Sequence, residues 1–152
     1  MALELSTIGI ALKYAPEATA GTRPTTGFTE IENITSIGEI SATPEQLDVT
    51  NLKDTWRRYI DGVKDGGGNV AIGANFTAAF KTAWEAAVTA YETAKAAGKA
   101  LWFEVSVPNF DSFYIAGAPS DLGLPSIEVN SVFAGTVNIT PNQIAGWATS
   151  ST

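Results

Sequence analysis

The 152 residues of this chain include no cysteine and no histidine. Without cysteine there are no disulfides, no thiolate metal sites and no thiol nucleophile. Without histidine, Ser-His-Asp and Cys-His catalysis, imidazole metal ligation and histidine general-base chemistry are excluded as well. Positive charge is scarce: nine lysines and arginines face sixteen acids, a formal net charge of −7. A broad phosphate-binding surface needs clustered lysine and arginine, so this balance points away from nucleic-acid binding. No stretch approaches the ~20 apolar residues of a membrane-spanning helix. The opening MALELSTIGIALKY sets Glu4 where a secretory signal carries basic charge and breaks its apolar run at Ser6, Thr7 and Gly9. The chain is therefore expected to stay where it is made, and its length fits one domain spanning residues 1–152 with a core of its own.

Four of the nine bases fall in one short stretch. Residues 53–65 hold four bases against three acids, net +1, whereas residues 1–52 carry −5 and residues 66–152 carry −3. The patch falls inside LDVTNLKDTWRRYIDGVKDGGGNVAIGANF, residues 47–76. Leu47 and Val49 alternate with polar neighbours at its start, and Val70, Ile72, Ala74 and Phe76 with small or polar ones at its end, the period of half-buried strands. The roughly twenty residues between them exceed what a hairpin turn needs. They predict an extended contact loop over about 51–68. Its candidate anchors are Trp56, Arg57, Arg58 and Tyr59, residue types that dominate protein interfaces, with Lys53, Asp54, Asp61 and Lys64 around them. Mixed charge suits a protein partner better than a polyanion. Two other readings stand beside this one: a solvated loop, and a grip on single-stranded nucleic acid by stacking and charge, for which two arginines in an acidic chain are few.

The order L-x-V-T-x-L-x-D-T-x-R-x-Y-I-x-G-x-K-D-G-G from Leu47, followed by an alternating strand, resembles the tail tube proteins of tailed bacteriophages. A lead-in Ile37-Gly38-Glu39-Ile40, an alanine-rich helix and a final β-region extend the resemblance over most of the chain. It implies a structural role in which subunits form rings, usually of six. Their sheets join into a continuous lumen wall, and the rings stack into a tube that carries DNA to the host. The partners implied are copies of the chain itself, the tape-measure protein, the tail terminator and the tail-tip proteins. DNA would pass without specific binding. The place implied is the virion tail, assembled in the host cytoplasm.

Elsewhere the periodicity predicts mostly strands. Ile8, Ile10, Leu12 and Tyr14 share one face of a strand, the Pro-, Thr- and Gly-rich stretch from Ala15 to Phe28 has no period, and Ile31 to Ile40 gives one or two short strands. Pro44 interrupts the chain before the strand at Leu47. Thr77 to Ala97 is the one convincing helix: Phe80, Trp84, Ala87, Val88 and Tyr91 form a single apolar stripe, Thr77 can cap its start and Gly98 its end. Leu101, Phe103, Val105 and Val107 then share one strand face, and Trp102, Glu104 and Ser106 the other, with a partner strand from Phe113. Ile127, Val129, Phe133, Val137 and Ile139 hold odd positions of a last strand region that Pro141 closes, leaving Trp147 exposed in a loose tail as a further contact candidate. The fold expected is a β-sandwich or partly rolled β-barrel with one flanking helix over about 77–97, and unpaired sheet edges offer a second mode of contact.

Chemistry has little to build on. Glu30/Glu32 and Asp61/Asp65 lack the frame of a glycosidase pair or a calcium loop, and Gly66 to Gly68 precede a strand rather than follow one, the reverse of a phosphate-binding loop. No enzymatic activity, cofactor or metal is expected. A tube that conducts DNA must not hold it, so acids on strand faces are the lumen candidates, Glu104 and Glu128. A monomeric β-sandwich module that binds carbohydrate or a receptor is the alternative.

Overall fold

A computed structural model describes residues 4–65 and 68–151. Helix α1 (Ala78–Ala96) forms where the apolar spacing predicts it, and both ends are fixed by capping. Thr77 is extended, and its Oγ1 accepts the Phe80 N–H at 3.1 Å, satisfying one of the first-turn donors that lack a partner within the helix. At the far end Gly98 takes φ +74°. There the Gly98 N–H reaches Lys95 O at 3.1 Å and the Lys99 N–H reaches Ala94 O at 2.8 Å, the two bonds of a Schellman cap.

The apolar stripe of α1 rests on an antiparallel sheet. Its strands are β1 (Ala11–Pro16), β2 (Thr29–Ile31), β3 (Ile34–Ile37), β6 (Val70–Asn75), β7 (Leu101–Ser106), β8 (Ser112–Pro119) and β9 (Ala134–Ala148), while β4 (Thr43–Asp48) and β5 (Tyr59–Asp65) pair separately as a two-stranded sheet. The spatial order is β2-β1-β7-β8-β9-β6-β3, so the edges are β2 and β3, of only three and four residues. Leu12, Ile31, Ile72, Phe103, Ile115, Val137 and Ile139 point inward from six strands and meet Phe80, Trp84 and Ala87 of α1 in one core. The mainly β fold with a single flanking helix is thus as expected.

Several details differ from the periodicity. The second face of β7 is not polar and open: Trp102 is buried with Tyr114 and Ala116 in a smaller cluster, covered by Phe28, Ala100 and Ala148. A strand covered on both sides has no solvent face to alternate with. Ile127 and Val129 lie in an irregular segment between β8 and β9 and face solvent. In the ladders Pro119 of β8 pairs Ile139 and Asn75 of β6 pairs Ala134, so β9 is already flanked by β8 and β6 and residues 121–133 lie outside its pairing. Pro141 does not close the last strand. It stands opposite Gly117 at a shift of register, where its missing N–H is tolerated, and β9 continues to Ala148. The segment around Trp147 is therefore a paired strand and not a loose tail. Ile8 stays outside β1 and exposed. Pro44 lies within β4, again at an irregularity in pairing.

Candidate functional site

The predicted loop over 51–68 is in large part a β-hairpin. Asp48 pairs Tyr59, Leu47 pairs Ile60 and Gln46 pairs Asp61, with a further bond of 2.7 Å from Gln46 Nε2 to Asp61 Oδ1. Tyr59 to Asp65 form a second strand where a contact loop was expected, and Gly62 allows close pairing with Glu45 and Leu47. Gly66 and Gly67 lie outside the described residues. Among the described residues no third strand lies against it, so the hairpin projects from the body, and nearly all its described side chains face solvent.

The tip between β4 and β5 is held by its own polar groups. Asp48 Oδ1 accepts the Thr50 N–H at 2.9 Å, Val49 N–H donates to Arg58 O at 2.9 Å, and the Arg58 N–H donates to Thr50 Oγ1 at 2.8 Å. Asp54 Oδ2 accepts the Asn51 N–H at 2.9 Å, and Asn51 Oδ1 accepts the Lys53 N–H at 2.9 Å. Both arginines pair inside the tip: Arg57 Nη1 lies 2.9 Å from Asp48 Oδ2, and Arg58 Nε lies 2.9 Å from Asp54 Oδ2. Hydrogen bonds from Thr50, and then the Arg57 guanidinium, hold the Asp48 carboxyl below its ordinary pKa. Exposed pairs of this kind contribute little stability, but together they give the tip one shape. Arg57, Arg58, Asp54 and Asp61 thus make polar contacts within the hairpin while both arginines stay largely exposed, and apolar side chains with a lysine beside them stand in solvent next to these pairs. Leu52 is fully exposed, Trp56 is 83 % exposed and Val63 82 %, with Lys53 adjoining Leu52 and Lys64 adjoining Val63.

The other sequence candidates lie elsewhere. Trp147 is half-exposed on β9 and packs edge-on against Phe110 and Phe113, ring centroids 4.8 and 5.1 Å away. With Phe113, Val105, Ile10 and Ile37 it lines a groove of ≈ 570 Å³ whose walls carry apolar and hydroxyl side chains and no ionisable group. Glu128 sits in the irregular segment after β8, exposed, and not on a strand face.

Glu104 overturns its expectation outright. It is completely buried, so it cannot line a lumen. Its carboxylate accepts the Ser151 N–H at 2.9 Å, the Ser151 hydroxyl at 2.6 Å and the Tyr114 hydroxyl at 2.8 Å. The Tyr114 hydroxyl also lies 2.7 Å from Thr149 O, so one phenol proton is shared between two acceptors. Burial pushes the Glu104 carboxyl up, yet the donors of Ser151, Tyr114 and Ser112 outweigh it and leave the pKa below the ordinary value. Burial and the adjacent carboxylate push the Tyr114 phenol up to about 12. Glu17, which the sequence did not single out, is the counterpart: its oxygens accept Ala100 N–H at 2.8 Å and the Trp102 indole at 3.1 Å, tying the loop after β1 to the start of β7. Burial raises its pKa, and these donors with the Gly21 N–H bring it below the ordinary value. Both carboxylates fasten peripheral segments to the sheet. Among the described residues there is no group of three or more potential metal ligands.

No family model matches the chain, and no curated protein sequence does. Solved structures share its fold. A chain of the tail of an empty gene transfer agent particle, determined by helical refinement with C6 symmetry, is 15 % identical with a TM-score of 0.60, over 95 % of this chain and 100 % of that one. A chain of the native gene transfer agent virion is 17 % identical with a TM-score of 0.59, over 95 % and 100 %. A chain of the six-fold symmetrised anti-feeding prophage baseplate is 8 % identical with a TM-score of 0.53, over 96 % and 97 %. At these identities the likeness is one of fold, and it covers nearly the whole length of each chain.

Proposed function

We propose that this protein is a structural subunit of a phage-like tail, polymerising as stacked rings of six into the tube through which DNA leaves for the host. The observation that carries the reading is the projecting hairpin: a fold shared end to end with a chain of a C6 helical tail presents an ordered arm whose tip has apolar side chains and no partner in its own sheet. Solvent-facing Trp56 and Leu52 have a reason to exist if a neighbouring copy covers them. A contact between unlike surfaces of identical chains closes into a ring or continues as a filament, and a tube needs both kinds. The acidic body, −8 outside residues 53–65, suits a conduit that must release DNA. The tape-measure, terminator and tail-tip proteins are the partners such a tube requires, and the virion tail is its place.

Electron microscopy of the concentrated protein tests this directly. Rings or tubes with six subunits per turn are expected. A protein that remains monomeric by sedimentation at every concentration, and in the presence of preformed tail tips, refutes it.

A further inference from the structure

The segment between β8 and β9, of which the sequence singled out only Glu128 as a candidate, carries a run of exposed apolar side chains. Leu124 is 80 % exposed and Val129 89 %, and Ile127 and Val132 also face solvent. This exposure is not that of a slack loop. At its root the Trp84 indole N–H donates to Ser120 O at 2.8 Å, the Ser120 N–H donates to Asn138 O at 2.8 Å, and Asn138 N–H donates to Ser120 Oγ at 3.0 Å. At its end the Phe76 N–H donates to Phe133 O at 2.8 Å, and the two rings pack edge-on at 5.5 Å. Midway, Pro125 lies so close to Gly135 that a Cβ there would stand 2.8 Å from it. The segment is pinned at three points and holds its apolar side chains outward.

We propose that this segment receives the hairpin arm of a neighbouring copy. The inference rests on the self-assembly reading above and names the surface that the arm meets. Charge decides between occupants. Residues 120–133 carry two acids, Asp121 and Glu128, and no base, so a second copy of the same loop would bring like charges together. Residues 53–65 of the arm carry net +1, and with Arg57 and Arg58 paired to Asp48 and Asp54, Lys53 beside Leu52 and near Trp56 is the remaining cation of the tip. An apolar tip with a lysine therefore faces an apolar loop with acids. The two surfaces are different, so each copy can give an arm and receive one, and the contact propagates.

The absence of cysteine makes the test clean, because only introduced thiols can form a disulfide. Leu52→Cys with Val129→Cys in one chain, assembled and then oxidised, should give a covalent ladder upward from dimer on a non-reducing gel. Mixing the two single variants should stop at dimer, and each single variant alone should stay monomeric. A second pair, Trp56→Cys with Ile127→Cys, guards against a local misfit. In the cysteine-free chain Glu128→Lys should lower assembly about tenfold or more, and Lys53→Glu added to it should restore most of the loss. Normal tubes by microscopy with no ladder from either pair overturn the inference and leave the tube reading standing. Efficient dimers from Val129→Cys alone overturn it in favour of a loop-to-loop contact. A chain that forms neither tubes nor ladders overturns both.

Discussion

Replacing Trp84 tests the core and the pinned loop together. Its indole is completely buried at the centre of the α1 stripe, stacks on Phe80 with centroids 6.1 Å apart, and donates to Ser120 O at 2.8 Å. Trp84→Ala removes the ring and leaves a cavity between helix and sheet, at a cost of about 3–5 kcal/mol. Against a total stability of roughly 5–15 kcal/mol for a domain, that is a large share. At about 2–4 °C per kcal/mol for a chain of this size, the melting temperature should fall by roughly 6–20 °C. Trp84→Phe keeps most of the volume but leaves the Ser120 carbonyl without its donor, and should cost about 1–3 kcal/mol. Circular dichroism melts and urea titrations of both variants give the numbers, and soluble yield should follow the same order. If Trp84→Ala melts within about 3 °C of the parent chain, the helix does not pack as described. A variant with unchanged melting but no tubes would move the α1 stripe from core to interface.

Trp56→Ala should leave folding unchanged, because the side chain is 83 % exposed, and should weaken assembly by about 2 kcal/mol or more; comparing circular dichroism with tube yield checks this, and normal tubes remove the tip from the mechanism. Glu17 and Glu104 have folded-state pKa values below the ordinary 4.5, so their stabilisation is present above that value and is lost as the pH falls through the lower folded ones. Thermal melts should be level near neutrality and decline on acidification, and Glu104→Gln should lower the neutral melting temperature and flatten the acid decline; an unaltered pH profile contradicts the assignment. Gly117→Ala would set a Cβ 2.6 Å from the Thr140 backbone oxygen, which cannot swing aside, so a loss of about 1–3 kcal/mol by urea denaturation is expected and a neutral result would deny the tight β8–β9 approach.

Local rules determined α1 almost completely. The stripe Phe80, Trp84, Ala87, the Thr77 cap and the Gly98 terminus are written in neighbouring residues, and a helix satisfies its backbone from within, so sequence alone predicts it. The absence of cysteine and histidine, the acidic balance and the basic, aromatic arm are likewise properties of composition that no folding can change. The resemblance at Leu47 to Gly67 pointed to a fold that the solved tail and virion chains share.

Tertiary structure decided what those local rules leave open. Alternation tells which residues share a strand face, not whether both faces are covered. Glu104 therefore read as a solvent-facing acid, when Tyr114 opposite it on β8 and Ser151, 47 residues away in sequence, enclose it and supply its donors. A strand also needs a free ladder. Ile127 and Val129 have the right period, but they precede the part of the chain that pairs with β6 and β8, and they form an exposed loop that sequence reading took for a strand. In the arm, only the folded hairpin brings Asp48 to Arg57, nine residues away, in an exposed ion pair. Pairing partners in a sheet are chosen across the whole chain, and that choice is absent from any window of neighbouring residues.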